Sequence, residues 1–142
     1  MITTEPIWIS VNLAEAIHRR QLAEHGGPGS VRDQPALESA LARPRQRFAY
    51  GDESLQLPDL AAAYAYGLAR NHPFADGNKR TAYVLCRTFL KLNGWDLVGN
   101  LSDRYPVFLA LAAGELTEQA LAAWLRDHAR PELLSEELAG YG

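Results

Sequence analysis

The sequence predicts an all-α domain with at most one small β-hairpin. Three observations lead there: apolar residues recur at helical spacing along most of the chain, capping residues and glycine or proline stops bracket the periodic stretches, and no internal repeat, low-complexity segment or long linker interrupts them. The 142 residues, 47% hydrophobic and 22% charged, suit a single domain over 1–142 with a core of its own.

Taken in order, Ile7-Trp8-Ile9 is short and open to an extended conformation. Asn12-Leu-Ala-Glu15 reads as the start of a first helix, with Leu13, Ile17 and Leu22 as core positions and Gly26-Gly27-Pro28-Gly29 as its stop. Asp33 caps a short second helix burying Leu37, Ala40 and Leu41. The residue before a proline avoids the α region, so Arg43-Pro44 is expected to end it. Residues 44–55 (PRQRFAYGDESL) then read as a small extended flap with a turn at Gly51-Asp52. Pro58 and Asp59 open an alanine-rich helix that runs to Asn71 with Leu60, Tyr64 and Leu68 on one stripe, and its small side chains suit a central helix packed on several sides. After a loop over 72–77, periodicity resumes at Asn78 through Ala82, Leu85, Phe89 and Leu92, until Asn93-Gly94 stops it. Past Trp95–Val98, Ser102 or Asp103 begins a helix through Phe108 and Leu111 to Gly114. Thr117 caps a last one through Leu121, Trp124 and Leu125, and the tail 131–142 is expected to fray.

A net charge of −3, from 14 basic and 17 acidic residues, gives no global field that would draw the protein to nucleic acid or an anionic membrane. The lone cysteine, Cys86, excludes a disulfide framework and a cysteine metal cluster, and lies in an apolar helical stretch. No apolar run reaches the roughly 18–20 residues of a membrane span, and the start lacks the order of a signal peptide. A soluble, cytoplasmic protein is the expectation.

The chemistry concentrates in RNHPFADGNKRTA, residues 70–82, a loop that feeds a helix N-terminus. First-turn N–H groups lack intrahelical partners and, with the helix dipole, form an anion site; Gly77 lets a phosphate approach that backbone closely. Lys79 and Arg80 sit in the same turn, where cations oppose the dipole, and a bound phosphate would account for them. Asp76 can hold a magnesium ion that shares its shell with phosphate oxygens and water. Histidine is the side chain suited to proton transfer near neutral pH, so His72 can take a proton from a hydroxyl nucleophile. Phe74 most simply points inward and pins the loop so that His72 and Asp76 face outward.

HPFADGNKRTA resembles the motif of the Fic/Doc family, usually H-P-F-x-D/E-G-N-G-R-x-x-R. Lys79 replaces the second glycine and Tyr83 the second arginine, and both departures are similar to the Doc (death-on-curing) branch, although the founding member of that branch has alanine where Gly77 stands. The likeness covers roughly residues 8 to 95, including GGPGSVRDQPALESALARPRQRFAYG. It implies a compact helical Fic core with a β-hairpin flap, placed here near 44–55, that docks the target through Arg45, Arg47, Phe48 and Tyr50. It further implies His72 as base, Asp76 as magnesium ligand, Gly77 and Asn78 in the anion hole, and Lys79 and Arg80 as phosphate clamps. Fic adenylyltransferases transfer AMP from ATP. The Doc branch binds ATP reversed and phosphorylates a Ser or Thr hydroxyl of elongation factor Tu, stopping translation, under control of a small Phd-like antitoxin. An inactive Fic-like binding module is the third reading the resemblance leaves.

Other readings of these residues are weaker. Arg43, Arg45, Arg47, Lys79 and Arg80, with Phe48 and Tyr50 to stack on bases, could form a nucleic-acid patch, against the acidic balance of the chain. His72 and Asp76 could bind a structural metal, but no third and fourth ligands stand at familiar spacing. Trp8, Trp95, Trp124, Tyr64 and Tyr66 read as packing aromatics, and Cys86 as a buried small hydrophobe.

Overall fold

The computed structural model describes residues 2, 4–27 and 31–132; the tail expected to fray lies, from residue 133 on, outside them. Six helices are described, α1 (Val11–His25), α2 (Gln34–Tyr50), α3 (Leu57–Asn71), α4 (Asn78–Leu92), α5 (Leu101–Ala112) and α6 (Glu118–His128). Two short strands, β1 (Trp95–Leu97) and β2 (Ala129–Pro131), pair antiparallel with Asp96 opposite Arg130. The mostly helical class is as expected, and no described helix is long and apolar enough to cross a membrane.

The centre is α3. Leu60, Tyr64 and Leu68 are buried as the stripe predicts, and the alanines on its other faces are buried too, because α2, α4 and α6 pack around it. Asp59, 1% exposed, caps this helix by accepting from the Gln56 N–H (2.8 Å) and is charge-compensated by Arg126 of α6 (2.6 Å). Ala82, Leu85 and Phe89 of α4 complete the core, whereas Leu92, expected inside, is 39% exposed at the last turn.

The largest departure from expectation is α2. Asp33 caps it, accepting from the Ala36 N–H (3.0 Å), but the helix continues through Pro44 to Tyr50, so residues 44–50 are helical and 44–55 contain no hairpin. Proline removes one intrahelical hydrogen bond, at a cost of about 3 kcal/mol in a helix interior. Here Pro44 is buried on the stripe that Leu37 and Leu41 begin and half-buried Phe48 extends, and packing against α3 offsets the loss. Local propensity marked a boundary that tertiary burial overrode.

Helix starts were otherwise within a residue or two. Ser10, not the Asn12 box, caps α1 through its hydroxyl (3.1 Å from the Leu13 N–H), which places Ala14, His18 and Gln21 on the buried face and leaves Leu13, Ile17 and Leu22 partly buried. Asn100 rather than Ser102 or Asp103 caps α5, while Thr117 caps α6 as expected. Cys86 is fully buried, and burial pushes its thiol up to about 12. Of the aromatics, Tyr64 is fully buried and Trp8, Tyr66, Trp95 and Trp124 are half-buried against the core.

Candidate active site

The loop 72–77 joins the C-terminus of α3 to the N-terminus of α4, and each end turns through a left-handed residue. His72 has φ 47°, closing α3 with its N–H on the Leu68 carbonyl (3.2 Å). Gly77 has φ 78° at the start of α4; a side chain there would meet only ordinary contacts, so the backbone angle is what calls for glycine. Between them Phe74 is fully buried, as its role of pin requires. The Asn78 side chain clasps it on both sides, accepting from the Phe74 N–H (3.0 Å) and donating to the Phe74 carbonyl (2.9 Å).

Asn78 is thus first of all a loop clasp, and what it brings to an anion site is its backbone N–H. No side chain caps α4, although Ser10, Asp33, Asn100 and Thr117 cap α1, α2, α5 and α6. The first-turn N–H groups of α4 therefore have no side-chain partner, and Lys79 and Arg80 stand in the same turn. Arg80 folds back so that a guanidinium nitrogen lies 3.7 Å from where a Gly77 side chain would begin, and its Nε is buried without a partner. Lys79 is exposed, and neither cation has an acidic partner among the described residues.

Asp76 is exposed, its carboxylate lying against Gly27, where the absence of a side chain leaves it room, and it has no hydrogen-bond or ion-pair partner among the described residues. No cluster of three metal-ligating side chains occurs among them either. One uncommitted carboxylate beside a helix N-terminus fits a magnesium ion that brings phosphate and water ligands with it, not an all-protein cage. His72 is exposed and lines a cavity of about 340 Å³, shared with Tyr66, Arg70 and the turn 111–116. Lys79 and Arg80 line a different one, of about 350 Å³, between α1, α4 and α5.

Two supports went unseen in the sequence. His18 of α1, 2% exposed, stacks on Phe74 (3.8 Å between centroids, 9° between planes) and its Nε2 is 2.8 Å from the Asp76 carbonyl, so the loop rests on this ring from below. A histidine amid the apolar positions of α1 was the available signal. Arg32 donates to the His72 carbonyl (2.8 Å), and the backbone N–H groups of Arg32 and Asp33 both reach the Pro73 carbonyl (2.9 and 3.1 Å). Val31 forms an antiparallel bridge with Phe74, so the extended backbone beside this loop is at 31–33.

The four residues assigned to target docking are not brought to the site. Arg45 lies over the Trp8 ring (5.5 Å), Phe48 meets the edge of the same ring (5.7 Å), Arg47 approaches Glu118 (3.9 Å), and Tyr50 is 90% exposed. The loop meets the chain just before the other end of α2, at 31–33, and Asn71, the last residue of α3, donates to the Ala36 carbonyl there (3.0 Å), roughly 14–21 Å along the axis from these residues at 1.5 Å per residue. A basic nucleic-acid patch is disfavoured on the same ground, since Glu118 holds both Arg43 and Arg47.

Residues 8–90 match the Fic/DOC family. The chain is similar to a "Toxin Doc" of Mycolicibacterium smegmatis, 49% identical over 76 residues, 53% of this chain and 58% of that relative, so the chain spans under two thirds of it. It is also similar to "Protein kinase doc" of Escherichia phage P1, 32% identical over 113 residues, 78% of this chain and 86% of the phage protein.

Proposed function

The chain belongs to the Fic/Doc family, and on that premise we propose that it is a Doc-type toxin whose single domain transfers the γ-phosphate of ATP to a Ser or Thr hydroxyl of a target protein. The observation that carries this reading is the uncapped N-terminus of α4 with two uncompensated cations in its first turn, following a loop whose backbone is braced at His72, Pro73, Phe74 and Asp76. Such an arrangement costs stability unless an anion completes it.

In the proposed reaction His72 accepts the proton of the target hydroxyl, whose oxygen attacks phosphorus. The new O–P bond forms as the bond to the leaving diphosphate breaks, and the electron pair stays with ADP. The N–H groups at 78–80, Lys79 and Arg80 hold the charge on the transferred group, the positioning and electrostatic work that dominates phosphoryl transfer. When bound, magnesium would sit at Asp76 and supply charge neutralisation of the phosphates.

Lys79 and Tyr83, standing where the usual motif has glycine and arginine, favour the γ-phosphate over the α-phosphate. Gly77, the residue of the usual motif, is what keeps AMP transfer as a second reading. The proposed target is a translation factor, elongation factor Tu first, with translation arrest as the effect. The proposed setting is the cytoplasm, with a Phd-like antitoxin as regulator.

The test is incubation of the protein with magnesium, a bacterial lysate and ATP labelled at either the γ- or the α-phosphate, with purified elongation factor Tu in parallel. Label from the γ position alone is expected, together with a loss of at least about a hundredfold in His72→Ala. Label from the α position alone would make the enzyme an adenylyltransferase. Undiminished transfer by His72→Ala would remove that residue from the mechanism.

A further inference from the structure

Arg104 of α5 is 7% exposed, and the described residues offer its charge no carboxylate within ion-pair distance. Its guanidinium is held by neutral oxygens: Nη1 donates to the Tyr83 hydroxyl (3.1 Å), and Nη2 to the carbonyls of Gly99 (3.0 Å) and Leu97 (3.4 Å). Nε is buried with no partner. A buried cation without a counter-charge is costly, and one left that way beside a cavity marks a place for an anion.

Arg104 lines the 350 Å³ cavity that Lys79 and Arg80 also line, and no carboxylate lines it. Its remaining wall is largely apolar, with Tyr105 and Phe108 among its members. The cavity thus brings three cationic residues, two of them in the first turn of α4, together with a wall that is mostly apolar and partly aromatic, the complement of a molecule that carries phosphates on a flat ring system. Tyr83 stands where the usual family motif has its second arginine, and its hydroxyl is what Arg104 reaches.

We propose that Arg104 is a nucleotide-binding residue: positioned from α5 by the Tyr83 hydroxyl, it neutralises the phosphates of the donor that are not transferred, while the nucleoside lies against Tyr105 and Phe108. Arg104 thus returns a guanidinium to a motif that lacks it at position 83. This rests on the reading of the chain as a nucleotide-dependent transferase and adds the direction in which the donor runs, from the α4 N-terminus into the α1–α4–α5 cavity. It also gives Arg104 a role in the reaction, holding the charge that the departing diphosphate gains.

Titration calorimetry of the full chain with magnesium and either ADP or adenosine tests this, comparing wild type, Arg80→Ala, Arg104→Met and Arg104→Lys, with circular dichroism melts to verify folding. Arg104→Met is expected to weaken ADP at least tenfold, to reduce the salt dependence of ADP binding, and to leave adenosine within about twofold. Arg104→Lys should weaken ADP less, since it keeps the charge and loses the fork. Should Arg104→Met fail to fold, the lysine variant decides: ADP affinity equal to wild type would overturn the proposal. Equal losses for ADP and adenosine would reduce Arg104 to a packing residue. ADP binding that responds to Arg80→Ala but not to Arg104→Met would sink this inference alone. A wild type that binds neither nucleotide would sink the transferase reading with it.

Discussion

The two ends of α4 hold the same kind of residue in opposite circumstances. Towards its C-terminal end Lys91 lies in the last turn, where the helix dipole favours cations, Arg87 stands one turn before it, and both are compensated. Arg87 grips Asp96 of β1 through two nitrogens (2.9 and 3.1 Å), and Lys91 reaches Asp96 (3.5 Å) and Glu132 (3.0 Å). At its N-terminal end Lys79 and Arg80 oppose the dipole, have no acidic partner among the described residues, and are joined across the cavity by Arg104. The first end is built for stability: its charges cancel, and it ties α4 to the small sheet. The second is left incomplete, as the proposed phosphate site requires.

Substitutions at the two ends should therefore separate stability from activity. The largest effect is expected from Asn78→Ala, which orphans the buried Phe74 N–H and carbonyl at roughly 1–3 kcal/mol each. Melting temperature and transfer activity should fall together, since the loop loses its clasp, and an unchanged melt would show that the clasp is not needed.

A smaller effect is expected at the other end. Burial alone would raise the Asp96 carboxyl, but hydrogen bonds from Arg87 and the Leu97 N–H, with the charges of Arg87 and Lys91, outweigh it and hold the group at about 2 against its usual 3.8. A carboxyl lowered on folding stabilises above its unfolded value and loses that contribution as pH falls through the folded one. Asp96→Asn should accordingly lower stability by about 1 kcal/mol at neutral pH. The gap to wild type should close between pH 4 and pH 2, and activity should be spared. A gap that is constant with pH would mean that charge is not what Asp96 contributes.

The smallest effect has the reverse sign. Lys79→Glu places an acid where the dipole favours one and should raise stability by about 0.3–1 kcal/mol, while abolishing or sharply weakening phosphate transfer. A variant both more stable and fully active would refute the view that this end is held incomplete for a ligand.

The sequence by itself determined the helical class, the central α3, the α4 start at Asn78 and the buried Phe74, because each is a local pattern of period, caps or breakers that a short stretch of chain already contains. It also exposed the candidate loop, since His72, Asp76, Gly77, Lys79 and Arg80 lie within nine residues of one another. Only the tertiary structure decided the rest. Pro44 continues a helix because its face is buried against α3, which moves Arg45, Arg47, Phe48 and Tyr50 from a flap at the site to the far end of α2. His18 and Arg32 reach the loop, and Arg104 reaches Tyr83 of α4, from other elements, across 58, 40 and 21 residues of sequence. No local pattern records such pairs, because what brings them together is the burial of α1, α2 and α5 around a common core.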